Sequence, residues 1–122
     1  MLNYQTRQGD LLIVIRHAPQ GSAWVREGLE LALVGGTLGQ QVGVLFQGDG
    51  VMALLAHQTA GALRQKSTLP MIDVLEMYDI GPLWVDEQSL QRFGLTQADM
   101  AVDVQAANVK VVLRCYDQCY LF

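Results

Sequence analysis

The sequence predicts an α/β domain, and three observations lead there. Short aliphatic runs alternate with segments of helical spacing. The breaks between them carry Gly, Pro, Asp and Ser, the residues that turn or cap a chain. The 122 residues suit one domain of ordinary size. A chain this long buries roughly two-thirds of the surface its unfolded form exposes, so it needs neither disulfide nor metal to fold.

Residues 1–10 show little periodicity and read as a polar tail, leaving residues 11–122 as a single domain. Leu11-Leu12-Ile13-Val14-Ile15 is a continuous aliphatic run, as expected of a strand buried on both faces. Pro19 and Gly21 break the chain, and Ser22 is placed to cap a helix. Val25, Leu29, Ala32 and Leu33 recur at helical spacing over Ala23 to Leu33, with Glu27 near the positive end and Gly35-Gly36 as the expected stop. Val42 to Phe46 is a second strand, ended by Gly48-Asp49-Gly50. Strand, helix and strand within about 35 residues form a βαβ unit with parallel strands and a right-handed crossover.

Val51 to Leu55 is expected to begin a short helix, and His57 to Lys66 to form a loop or frayed helix. Thr68 to Met77 has helical spacing with Pro70 in the first turn. Leu83-Trp84-Val85 is a third strand, after which Asp86 or Ser89 opens a helix that stops at Gly94. Ala101 to Val104 is a candidate fourth strand. Val109 to Leu113 reads as strand by propensity, yet Ala106 through Arg114 also reads as a helix feeding a last strand at Gln118 to Phe122. The α/β alternation favours the helix.

Hydrophobic residues make up 51% and charged residues 16%, against about 25% charged in ordinary domains. So few charges cover a small surface poorly, so part of the apolar excess is expected to meet another protein. The net charge is −4, and the eight Lys and Arg are scattered without a basic run, which argues against direct nucleic-acid binding. No apolar stretch reaches the length of a membrane helix and the apolar run at Leu11 is too short for a signal peptide, so a cytoplasmic protein is expected.

In open parallel sheets ligands sit at the carboxyl ends of strands. The loops to search are therefore those following Ile15 and Phe46. A triad of Ser22, His17 and Asp49 lacks the nucleophile elbow, and Ser22 is better explained as a cap. Gly21 alone makes no phosphate loop, and Gly48-Asp49-Gly50 reads as a tight turn in preference to a metal site. Cys115 and Cys119 form no zinc pattern and read as packed hydrophobes. No catalytic residue, cofactor or metal ligand is assigned on these grounds.

Several blocks resemble the TusC/DsrF branch of the DsrE family. They are Ala18-Pro19-Gln20-Gly21-Ser22-Ala23 with Arg26-Glu27-Gly28-Leu29-Glu30, then Val44 to Val51 ending in Asp49-Gly50-Val51. Tyr78-Asp79-Ile80, Trp84-Val85, Ser89-Leu90 and Arg92-Phe93-Gly94-Leu95 follow, and Tyr116-Asp117 with Leu121-Phe122 closes the series. The match is collinear over residues 11–122. Gln20 stands where that branch commonly has histidine, and Cys119 and Tyr120 interrupt an otherwise aliphatic last strand.

The resemblance implies a three-layer α/β/α domain around a five-stranded, mainly parallel sheet. It also implies a heterohexamer with TusB/DsrH-like and TusD/DsrE-like subunits, relaying persulfide sulfur toward 2-thiouridine at the tRNA wobble position or within dissimilatory sulfur oxidation. Sulfur-carrying members of the wider family place a cysteine at the junction where this chain has Asp86, so a non-catalytic subunit is implied. Gln20, Gly21, Ser22, Gly48, Asp49 and Gly50 are the loop residues expected near a partner's site. The alternative is a self-assembling protein of the same fold that binds a small ligand in those loops.

Overall fold

Five parallel strands in the order β4-β3-β2-β1-β5 form the centre of the computed structural model, which describes residues 7–19, 23–56 and 68–122. The strands are β1 (Gly9–Ile15), β2 (Val42–Phe46), β3 (Leu83–Asp86), β4 (Gln105–Ala107) and β5 (Tyr116–Leu121). The helices are α1 (Trp24–Thr37), α2 (Leu69–Met77), α3 (Glu87–Phe93) and α4 (Val109–Arg114). Pairing is in simple register, with Leu11 opposite Val42 and Ile15 opposite Phe46.

Alternation along the central strands sorts the core into two layers. Leu11, Ile13, Ile15, Val44, Phe46 and Val85 join Leu29 of α1, Ile72 of α2 and Leu90 of α3 on one face. Leu12, Val14, Leu45 and Trp84 meet Val112 of α4 and Tyr116 on the other. Both faces are covered, which is why the inner strands read as near-continuous apolar runs. The expected three-layer α/β/α architecture with five strands is present, and the sheet is wholly parallel.

β1 begins at Gly9, two residues ahead of Leu11, where Asp10 Oδ2 accepts from the Gln41 amide and Oδ1 accepts from Arg7. Arg7 also grips Asp117, so the starts of β1, β2 and β5 are tied together by an exposed cluster. This holds Asp117 below its ordinary carboxylate range, chiefly through the Arg7 hydrogen bond.

α1 does not stop at Gly35-Gly36. A Cβ on Gly36 would run into Ile80, and one on Gly35 would meet Val42 and Leu11. These glycines let the helix lie close to α2 and the sheet, and termination falls to Gly39 at φ 92. There the Gly39 amide donates to Gly36 and the Gln40 amide to Gly35, a Schellman closure.

α2 ends in the same way with a non-glycine residue. Asp79 sits at φ 56, its amide donates to Glu76, and the Ile80 amide donates to Leu75. The turn delivers Ile80 onto Gly36, which accounts physically for Tyr78-Asp79-Ile80. Because aspartate in this conformation is under mild strain, Asp79→Gly is expected to raise stability by about 0.5–1 kcal/mol. A higher urea midpoint at unchanged slope is the readout.

Three further expectations shift. Residues from Gly48 to Leu54 form a 3-10 helix, earlier and tighter than the helix expected from Val51. The fourth strand lies at Gln105–Ala107, not Ala101 to Val104. The earlier segment is apolar because Met100 and Val104 plug the core, while Ala101 donates its amide to Leu54. β5 starts at Tyr116, two residues before Gln118. Helix α4 resolves the ambiguous C-terminal segment in favour of the alternation, capped by Asn108, whose side chain accepts from the Lys110 amide. The segment His57 to Lys66 lies outside the described residues.

Candidate functional site

The carboxyl ends of β1, β2 and β3 converge on an open polar cleft of about 460 Å³. Arg16 follows β1; Gln47, Gly48 and Asp49 follow β2; Asp86, Gln88, Ser89 and Arg92 come from the β3–α3 junction. Its position matches the general rule for ligands in parallel sheets.

Glycine shapes the floor. A Cβ on Gly50 would collide with the main chain of Ile15, so only glycine lets the second loop lie against the end of β1. Gly48 turns at φ 56, and its amide donates to Ser89 Oγ at 2.8 Å. Ser89 in turn donates to Asp86 Oδ2 at 2.7 Å. Asp86 Oδ1 accepts from the Gln88 amide at 3.2 Å, which makes Asp86 the N-cap of α3. α3 closes at Gly94 in the left-handed conformation, as expected from its position in the sequence.

The junction is therefore a closed chain of hydrogen bonds from α3 to the β2 loop. Asp86 is only 6% exposed and Ser89 5%, and both Asp86 oxygens already accept bonds. Asp86, Gly48 and Asp49 come together at the cleft, with Gly50 directly behind. Gln20, Gly21 and Ser22 lie outside the described residues. Sequence reasoning missed Arg16, Arg92 and the bridging role of Ser89. Spacing held a partial signal, since Gln88, Ser89 and Arg92 stand at helical intervals on one face of α3.

His17 is not part of the cleft lining. It stacks on Trp24 with ring centroids 5.2 Å apart, and Trp24 meets Phe122 edge-on. Asp49 is exposed in the first turn of the 3-10 helix. Among the described residues no three His, Cys, Asp or Glu side chains are grouped to hold a metal ion. Among them, too, no helix is long and apolar enough to cross a membrane.

Both cysteines pack beneath α4. Cys115 Sγ donates to the Val111 carbonyl at 3.1 Å and Cys119 Sγ to that of Leu113 at 3.7 Å. Burial raises both thiols above their ordinary value, which disfavours the nucleophilic thiolate. Beside them Tyr116 crosses Gly43 and its hydroxyl accepts from Trp84 Nε1 at 2.9 Å. Burial raises this phenol too, against a smaller opposing effect of the Trp84 bond.

All three groups lose their protons more readily in the unfolded chain than in the fold. Their contribution is intact below the unfolded values of 9.0 for thiol and 10.0 for phenol, and it is lost as pH climbs through the higher folded values. Thermal midpoints are expected to fall steadily above about pH 9, with a shallower decline in Cys115→Ala. Equal slopes in both proteins would remove this account.

The chain has relatives among known proteins. A model of the DsrE/DsrF-like family matches residues 10–122. A "Protein TusC homolog" of Vibrio parahaemolyticus is 37% identical over 102 residues, covering 84% of this chain and 86% of that one. One from Pseudomonas aeruginosa is 33% identical over 111 residues, covering 88% and 93%. "Protein TusC" of Klebsiella pneumoniae is 39% identical over 93 residues, covering 75% and 78%. The crystal structure of the ychN protein from E. coli superposes with a TM-score of 0.78, covering 93% of this chain and 98% of that one. At 19% identity it speaks to fold alone.

Proposed function

The chain belongs to the DsrE/DsrF-like family, and from that premise we propose that it is a non-catalytic subunit of a sulfur-relay complex. The similarity to the TusC proteins over most of the chain carries this reading. Its partners are TusB/DsrH-like and TusD/DsrE-like chains in a cytoplasmic heterohexamer that serves 2-thiouridine formation at the tRNA wobble position. Within that assembly a partner's thiolate attacks the terminal sulfur of a donor persulfide, and the donor leaves as thiolate. This chain supplies architecture beside that reaction.

Chemistry at the cleft supports the division of labour. Asp86, at the position that matches the family's sulfur-carrying cysteine, is committed to capping α3 and holding Ser89. A carboxylate stores no persulfide. Of the two thiols this chain does possess, Cys115 is buried and Cys119 half-buried, both raised in pKa and packed with α4 on the far side of the sheet from the α1–α2–α3 core.

The purified chain is expected to take up no sulfur from a persulfide donor, while a co-expressed complex with the two partner chains does. Mass spectrometry of intact subunits reads the gain of one sulfur atom and its location. Persulfide on Cys115 or Cys119 of the isolated chain, lost on Cys→Ser, overturns the assignment. A stable homo-oligomer that ignores the partner chains overturns the proposed assembly.

A further inference from the structure

We propose that the cleft at the ends of β1, β2 and β3 binds a small oxyanion, a phosphate or phosphate monoester, between Arg16 and Arg92. The inference rests on this chain's own charges and stands apart from the sulfur-relay reading.

Among the described residues the ion pairs are those of Arg7, at the opposite end of the strands. Among the described residues neither Arg16 nor Arg92 has a carboxylate within the 4.0 Å of an ion pair, although Asp49 and Asp86 line the same cleft. The two acids are disposed differently. Asp86 lies on the floor with both oxygens accepting hydrogen bonds, so its charge is turned inward toward Ser89 and the α3 amide. Asp49 is exposed.

The arginines reach the cleft from separate elements. Arg16 leaves the end of β1, while Arg92 stands one turn along α3 from Ser89 with its guanidinium carbon 4.9 Å from the Phe93 ring centroid. Two guanidinium groups with no carboxylate partner among the described residues, on a shared polar cleft, suit an anion that accepts several hydrogen bonds at once. Gln47 and Gln88 add neutral amides to the lining. At about 460 Å³ the space exceeds a bare phosphate and leaves room for an organic substituent.

The test is titration of the full chain at neutral pH and constant ionic strength, followed by calorimetry and by amide NMR shifts. The probes are inorganic phosphate and adenosine monophosphate, with chloride as the control. Saturable one-to-one binding of phosphate is expected, with shifts at the Gly48 and Ser89 amides. Arg16→Gln and Arg92→Gln are each expected to weaken it about tenfold. Asp49→Asn, which removes an opposing charge, is expected to tighten it. The substituted side chains are exposed, so circular dichroism of the variants should match the parent.

Adenosine monophosphate binding well above phosphate assigns the site to a phosphate carried on a nucleoside; comparable affinities assign it to the free ion. Absence of saturation, or equal binding by Arg16→Gln and the parent, overturns the proposal.

Discussion

Gly50→Ala is expected to lower stability by about 3 kcal/mol or more, the upper end of what overpacking does. The added methyl would overlap the Ile15 carbonyl oxygen, with the Ile15 carbonyl carbon at 2.6 Å and the Arg16 amide nitrogen at 3.1 Å. These are main-chain atoms of a strand paired on both sides, by β2 and by β5, so neither neighbour can yield without breaking a ladder. Gly48→Ala is the internal control. Its Cβ would meet only the Arg16 carbonyl at 4.0 Å, so the penalty there is the left-handed backbone at φ 56, about 1 kcal/mol. Urea denaturation of the two variants ranks them directly. A smaller loss at position 50 than at position 48 would mean that the β2 loop does not rest on β1 as described.

Asp86→Ala carries the second largest effect, about 2–3 kcal/mol. It deletes the cap of α3 and leaves the buried Ser89 hydroxyl without its acceptor, while Gly48 stays bound to that hydroxyl. Asp86→Asn keeps a side-chain oxygen for the Gln88 amide, so it is expected to lose less than half as much. Under the proposed function neither change abolishes sulfur relay in the assembled complex, because the reactive thiol belongs to a partner. Asp86→Asn that retains the fold but stops relay would give Asp86 a part in the chemistry and refute its structural role.

The inner sheet was legible in sequence because burial on both faces leaves a short, near-continuous apolar run. Leu11 to Ile15, Val42 to Phe46 and Leu83 to Val85 all lie within strands. Helix α3 was legible because its ends carry chemistry of their own: Asp86 and Ser89 both offered a start, of which Asp86 is the cap, and Gly94 is the stop. Edge strands lack both signals. β4 is Gln-Ala-Ala, with Ala107 alone packed on the core and β3 its one strand partner among the described residues, so the more apolar Ala101 to Val104 drew attention that belonged four residues later. Glycine proved ambiguous for a related reason. Gly35 and Gly36 look like a helix stop, but the absent Cβ there makes room for Val42 in the next strand and for Ile80 much farther along the chain.

Local sequence by itself determined the class of fold, the alternation of elements and the stop of α3 at Gly94, because each depends on neighbours within a turn or a strand. Tertiary structure alone decided that Arg16, Gly48, Ser89 and Arg92 share one cleft and that Gly50 and Gly36 are contact surfaces. The order β4-β3-β2-β1-β5 brings three strand ends together, and no periodicity encodes a distance between residues separated by dozens of others.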